Sequence, residues 1–187
     1  MATDRILYIN ACVRERSRTD ELARALLSRL EGDVEELRLK DADLHSLSEE
    51  DILRRDNAIA KGDYAEYGLA KQFASADILV IAAPNYDLSF PSLLKVYLEN
   101  IYVMGVVTRF TEEGRPEGLC RAKKLYYVAT SGGKMDTRFG YDYVRALATE
   151  AFGIAKCELI YADMLDVFPE KAHAILEEAK AKIRKRN

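Results

Sequence analysis

The segment Ile78-Leu-Val-Ile-Ala-Ala83 contains no polar side chain. Successive residues of a strand point to opposite faces, so a strand of this composition must be covered on both sides, as in the middle of a sheet sandwiched between helices. Further strand-like runs fall at 6–10, 34–39, 125–130 and 157–162, with helical patterns between them. Five strands alternating with helices predict an α/β fold with a five-stranded parallel sheet and helices on both faces. Val34-Glu-Glu-Leu-Arg-Leu39 alternates apolar with polar residues, as an edge strand does.

With 187 residues, 49% of them hydrophobic, the chain is long enough for one sizeable core and short for two, so a single domain over 1–187 is expected. A formal charge of −3 argues against nucleic acid as the main partner. The cations at Lys180, Lys182, Arg184, Lys185 and Arg186 suit the end of a helix running from about Pro169 to Lys185, where they complement its dipole. Cys12, Cys120 and Cys157 form no C-x-x-C pair, and His45 and His173 add no ligand spacing, so a reducing, cytoplasmic setting and no metal are expected. There is no apolar signal core at the N-terminus and no apolar run near the roughly 20 residues that span a bilayer, hence no membrane partner.

Two connections are long. Between the second and third strands, Ser48 precedes Glu49, Glu50 and Asp51 as a helix start, and Gly62 separates that helix from another at about Asp63 to Ser75. Such an insert lies on the surface, as a lid or a subunit contact. Pro91 sits in the first turn of the helix after the third strand. From Val106 to Lys124 the chain carries Glu113-Gly-Arg-Pro-Glu-Gly118, a turn-forming stretch.

The first strand, Ile6-Leu-Tyr-Ile-Asn10, runs through a polar loop into a helix that begins near Ser17, with Leu22, Ala23, Leu26, Leu27 and Leu30 at helical spacing. A helix start offers free N–H groups and a positive dipole end, here beside the hydroxyls of Ser17 and Thr19 and the guanidinium of Arg18, which suits a phosphate. Ser17 or Thr19 would be the N-cap. No glycine lies between Asn10 and Thr19, so neither the Walker pattern nor G-x-G-x-x-G is present.

In a doubly wound sheet the ends of the first, third and fourth strands converge where the winding reverses. The third ends in Pro84-Asn-Tyr-Asp-Leu88 and the fourth in Thr130-Ser-Gly-Gly133. Tyr86, Leu88 and the backbone N–H groups of Asn85 and Tyr86 are suited to a flat heteroaromatic ring, and paired glycines let backbone approach it closely.

Together these segments resemble the flavodoxin-like FMN-dependent NAD(P)H oxidoreductases, the quinone reductase and azoreductase group, over nearly the whole chain. The resemblance implies a flavodoxin-like three-layer sandwich with strand order 2-1-3-4-5. It implies FMN held by Asn10, Ser17, Arg18 and Thr19, by Pro84, Asn85, Tyr86, Asp87 and Leu88, and by Thr130, Ser131, Gly132 and Gly133. It also implies ping-pong hydride transfer from NADH or NADPH through flavin N5 to a quinone, azo compound or other planar acceptor, with no catalytic side chain. The segment 108–119 resembles the one that covers the flavin of the opposite subunit, which implies a homodimer with its active site at the subunit interface and Phe110 in the acceptor pocket. Asp87 and Leu88 replace the family's usual Asn and Phe, which bears on substrate preference.

Two other readings compete. A flavodoxin-type electron carrier would bind FMN without reacting with a nicotinamide. A low-molecular-weight tyrosine phosphatase would use Cys12 as nucleophile with Arg18 and Thr19, a C-x5-R-[ST] match. Against it, the loop residues 13–17 hold no glycine, and no Asp-Pro pair supplies a general acid.

Overall fold

The computed structural model describes residues 3–184, and of Arg184 the backbone alone; Lys185 and Arg186 of the basic run lie outside them. Five parallel strands form the sheet: β1 (Arg5–Asn10), β2 (Asp33–Arg38), β3 (Ile78–Ala82), β6 (Lys124–Thr130) and β7 (Cys157–Ala162), in the order β2-β1-β3-β6-β7. Counting these five alone, the order is the expected 2-1-3-4-5. The winding reverses between β1 and β3, and the sheet partners Asn10 with Ala82 where both strands end.

The side-chain alternation of β1 divides the core. Ile6 and Tyr8 face α1 (Arg18–Leu27) and α6 (Ala172–Arg184), meeting Leu22, Leu26, Leu176 and Ile183. Leu7 and Ile9 face the other side, with Phe73 of α3 (Gly68–Ser75), Tyr97 of α4 (Ser92–Ile101) and Val144 of α5 (Tyr141–Ala146). There Phe73 meets Phe152 edge-on at 5.2 Å between ring centres. All four β1 side chains are at most 2% exposed, as the apolar run requires.

Four local details depart from the expected boundaries. α3 begins at Gly68 rather than near Asp63, because Asp63 Oδ1 accepts the Ala65 N–H and Tyr67 N–H donates to the Tyr64 carbonyl, winding 63–67 into turns. The long connection after α4 is an antiparallel hairpin, β4 (Thr108–Phe110) and β5 (Pro116–Gly118), with Arg109 opposite Glu117 and their side chains paired at 2.7 Å. α5 runs into a single π turn at Leu147–Ala151. Pro169–Lys171 form a separate 3-10 turn ahead of α6.

α2 (Glu49–Lys61) has no buried residue and is a surface element as expected of the insert, whereas α3 buries Ala70 and Phe73 in the core. It is held end-on: Arg55 donates to the carbonyls of Tyr102, Glu99 and Asn100 at 3.0, 3.1 and 3.3 Å, closing the C-terminus of α4 with a cation. Among the described residues no helix is long and apolar enough to cross a membrane, and no cluster of three His, Cys, Asp or Glu is placed to hold a metal ion.

Candidate functional site

Parallel winding brings the carboxyl ends of β1, β3, β6 and β7 to one edge, and a cavity of about 360 Å³ opens there. Its floor is the first turn of α1. Ser17 is the N-cap, its hydroxyl accepting the Asp20 N–H at 3.3 Å, and its carbonyl accepts the Glu21 N–H at 3.0 Å. Among the described residues the N–H groups of Arg18 and Thr19 have no partner and are the orphan donors of this turn. Arg14, Arg16 and Arg18 line the same cavity, so three cationic residues border it.

Thr19 is not the cap. It is fully buried, and its hydroxyl meets that of Thr130 at 2.6 Å. That bond joins the α1 turn to the end of β6, where Thr130, Ser131 and Gly132 form the next wall. The third wall is Pro84, Asn85 and Tyr86. Asn85 Nδ2 donates to Ser131 Oγ at 3.1 Å, so this loop and the β6 loop are fixed to each other.

The backbone N–H groups of Asn85 and Tyr86 are not available to a ligand, contrary to expectation. The first donates to the Thr130 carbonyl at 2.9 Å and the second to the Ser89 carbonyl at 2.7 Å. Tyr86 and Ser89 close a two-residue turn whose centre, Asp87-Leu88, has φ of 50° and 69°. The turn itself uses the donors that sequence reasoning had assigned to a ring. The N–H groups of Gly132 and Gly133 have no backbone partner among the described residues.

Four residues expected to hold FMN lie outside the cavity lining, Asn10, Asp87, Leu88 and Gly133, and so does Phe110, expected in the acceptor pocket. Asn10 is buried and works from beneath. Its Oδ1 accepts the Cys12 N–H at 3.0 Å, and its Nδ2 donates to Asp20 at 3.0 Å and Glu36 at 3.1 Å. It thereby shapes the loop that carries the arginines. Leu88 is exposed at the rim, and Phe110 stands 62% exposed on the β4–β5 hairpin. Cys12 is buried, with Sγ turned toward the Ala82 carbonyl, and burial pushes its thiol up to about 11. A neutral thiol outside the cavity is the wrong state and the wrong place for a phosphatase nucleophile.

Sequence reasoning missed the fourth wall, Leu165 and Asp166 from the loop after β7, and did not count Arg14 and Arg16 as lining. Asp166 Oδ1 pairs with Arg18 at 2.9 Å. No local motif marks this loop; its place follows only from β7 lying beside β6.

An open parallel sheet with a polar cavity at its reversal point, floored by a helix N-terminus, defines a doubly wound nucleotide- or phosphate-binding protein. The profile of the flavodoxin-like fold family matches residues 4–186, and the chain belongs to that family. An FMN-dependent NADH:quinone oxidoreductase of Coprothermobacter proteolyticus is 31% identical over 191 residues, spanning 94% of each chain. One from Clostridium beijerinckii is 43% identical over 113 residues, a match that spans 59% of this chain and 56% of its relative. The crystal structure of an azoreductase from Bacillus anthracis is similar at a TM-score of 0.80 and 23% identity, covering 97% of both chains; that likeness is one of fold.

Proposed function

We propose that this chain is an FMN-dependent NAD(P)H oxidoreductase that reduces quinones, azo compounds or related planar acceptors. The observation that carries the reading is the convergence in one cavity of a helix N-terminus and two walls, the β6 wall bonded to it and the two bonded to each other. The residues fit the cofactor. A phosphomonoester matches the orphan N–H groups of the α1 turn, the Ser17 hydroxyl and the surrounding arginines. A flat ring matches Tyr86 and the Gly132 backbone in the lining, with Gly133 just outside it, where a β-carbon would meet nothing within 4 Å. The family and the relatives named above support the same assignment.

When bound, FMN supplies the redox chemistry, taking a hydride from the nicotinamide and giving electrons to the acceptor. The protein's part is to hold and orient. Arg18, Ser17 and Thr19 fix the phosphate end, and Pro84, Asn85 and Tyr86 fix one side of the ring through the Asn85–Ser131 bond. The unpaired N–H groups of Gly132 and Gly133 would favour negative charge at the ring edge. Leu88 would contact the outer part of the ring or the acceptor, Asp87 forms the turn beside it, and Asn10 supports the loop after β1.

The single domain, 1–187, works in this reading as a cytoplasmic homodimer. The exposed Phe110 on a protruding hairpin supports a partner's cavity as its destination, where it would wall the acceptor pocket. Sedimentation velocity tests the dimer directly, and Phe110→Ala should raise the acceptor KM without changing FMN retention.

The main test is to add FMN, desalt, and then add NADH anaerobically. Retained visible absorbance that bleaches with NADH supports the oxidoreductase. Retained absorbance that NADH leaves unchanged would make the chain an electron carrier, and failure to retain flavin would overturn the assignment.

A further inference from the structure

Three arginines line the cavity, and Asp166 is the one acidic residue in its lining. It engages Arg18, the one arginine of the three that belongs to the α1 turn, at 2.9 Å. Its position is set by the backbone. Asp166 N–H donates to the Gly132 carbonyl at 3.0 Å, and the neighbouring N–H groups of Leu165 and Val167 donate to Ser131 and Gly132 at 3.2 Å each. The side chain then lies against bare glycine: a β-carbon on Gly132 would stand 2.4 Å from Asp166 Oδ2. The carboxylate is thus brought to Arg18 by a loop whose backbone is bonded to the β6 loop through three N–H groups.

The pair does little for the fold. Its side chains are 46% and 74% exposed, and exposed ion pairs contribute little to stability. Its position matters more. A phosphate seated on the α1 turn would need Arg18 and would meet the Asp166 charge at close range, where like charges repel.

We propose that Asp166 is a specificity-determining residue of the anion site, competing with a ligand's phosphate for Arg18. Binding a phosphorylated ligand exchanges one ion pair for another, so Asp166 holds phosphate affinity below what the three arginines and the helix turn would otherwise give. A ligand without phosphate leaves the Arg18–Asp166 pair intact and does not sense residue 166. This rests on the cavity being a phosphate site, and it sets the preference for FMN over riboflavin at that site.

The test compares wild type, Asp166→Asn, Arg18→Gln and the double variant, with FMN and riboflavin followed by flavin fluorescence and inorganic phosphate by calorimetry. Asp166→Asn should tighten FMN and inorganic phosphate about fivefold, the scale of an exposed charge contact, and leave riboflavin unchanged. Asp166→Ser should do the same, with melting curves confirming that each variant folds. In the Arg18→Gln background the gain from Asp166→Asn should largely vanish, because the group competed for is gone.

Weaker or unchanged phosphate binding in Asp166→Asn would overturn the proposal, as would equal tightening of riboflavin or an undiminished gain without Arg18. If wild type takes inorganic phosphate with the expected variant pattern but not FMN, the flavin reading fails and the role of Asp166 stands. If FMN binds and residue 166 has no effect, the reverse holds. If neither ligand binds, both fall.

Discussion

Thr19 Oγ1 and Thr130 Oγ1 lie 2.6 Å apart, both buried, joining the turn that would hold a phosphate to the strand end that leads into the ring loop. Replacing one hydroxyl with a methyl leaves the other buried without this partner. Thr19→Val or Thr130→Val should therefore cost about 2 kcal/mol in urea unfolding, the penalty for an unsatisfied buried hydroxyl. The double variant should recover most of that loss, since two methyl groups of the same shape can pack together. Additive losses in the double-mutant cycle would mean that each hydroxyl has another partner. The same cycle read on FMN affinity measures how far this bond transmits order between the two loops.

Leu88 carries a φ of 69° next to Asp87 at 50°, in a turn that glycine or asparagine would adopt with less strain. Its side chain is 56% exposed, so packing within this chain does not account for the residue. Leu88→Gly should stabilise the protein by about 1 kcal/mol by removing left-handed strain. It should also weaken flavin binding or raise the acceptor KM. A variant that loses stability and keeps its affinity would show that Leu88 serves the fold instead.

Much of this architecture is written in local sequence. The strands announce themselves because a buried parallel strand must be apolar, as Ile6–Ile9 and Ile78–Ala82 are. The α1 start is visible because capping chemistry is local to Ser17 and Asp20. β4 and β5 are three residues each, too short for periodicity to register, and β5 begins with a proline. The consumption of the Asn85 N–H by Thr130 and the arrival of Asp166 opposite Arg18 join residues 45 and 148 positions apart. Such pairings arise from the winding of the sheet, and no local pattern encodes them.

Cys12 matches the nucleophile position of a phosphatase loop in spacing alone. With burial pushing its thiol up to about 11, roughly one molecule in a thousand carries the thiolate at pH 8. Iodoacetamide labelling of the native protein at Cys12, mapped by mass spectrometry, should be slow at pH 8. It should accelerate about tenfold per pH unit until the thiol titrates. Hydrolysis of p-nitrophenyl phosphate that disappears in Cys12→Ser would contradict this account.

Gly118 closes β5 against the chain that leaves the π turn. A β-carbon there would stand 2.0 Å from the Gly153 nitrogen and 2.1 Å from the Phe152 carbonyl carbon, both backbone atoms that cannot swing aside. Gly118→Ala should cost about 3 kcal/mol, at the upper end for overpacking. Gly133→Ala, with open space around it, should leave stability within about 0.5 kcal/mol. Equal effects in denaturant unfolding would show that the hairpin base is free to shift.

Asp77 anchors the opposite edge of the sheet, away from the cavity. Its Oδ2 accepts the Arg5 N–H at 3.0 Å, its Oδ1 lies 2.7 Å from Arg121 Nε, and its side chain is 3% exposed. The Arg5 N–H, followed by the cations Arg121 and Lys123, holds this carboxyl below the usual carboxylate range. A carboxyl with a lowered folded-state pKa stabilises the fold fully above its unfolded value, near 3.9, and loses that contribution as pH falls through the folded value. Asp77→Asn keeps an acceptor for Arg5 but has no charge to titrate. Its melting temperature should lie about 4 °C below wild type at pH 7. The gap should stay constant down to about pH 5 and close at lower pH as the wild-type carboxyl takes up its proton. A gap that persists unchanged into acid would mean that shape, rather than charge, is what Asp77 contributes.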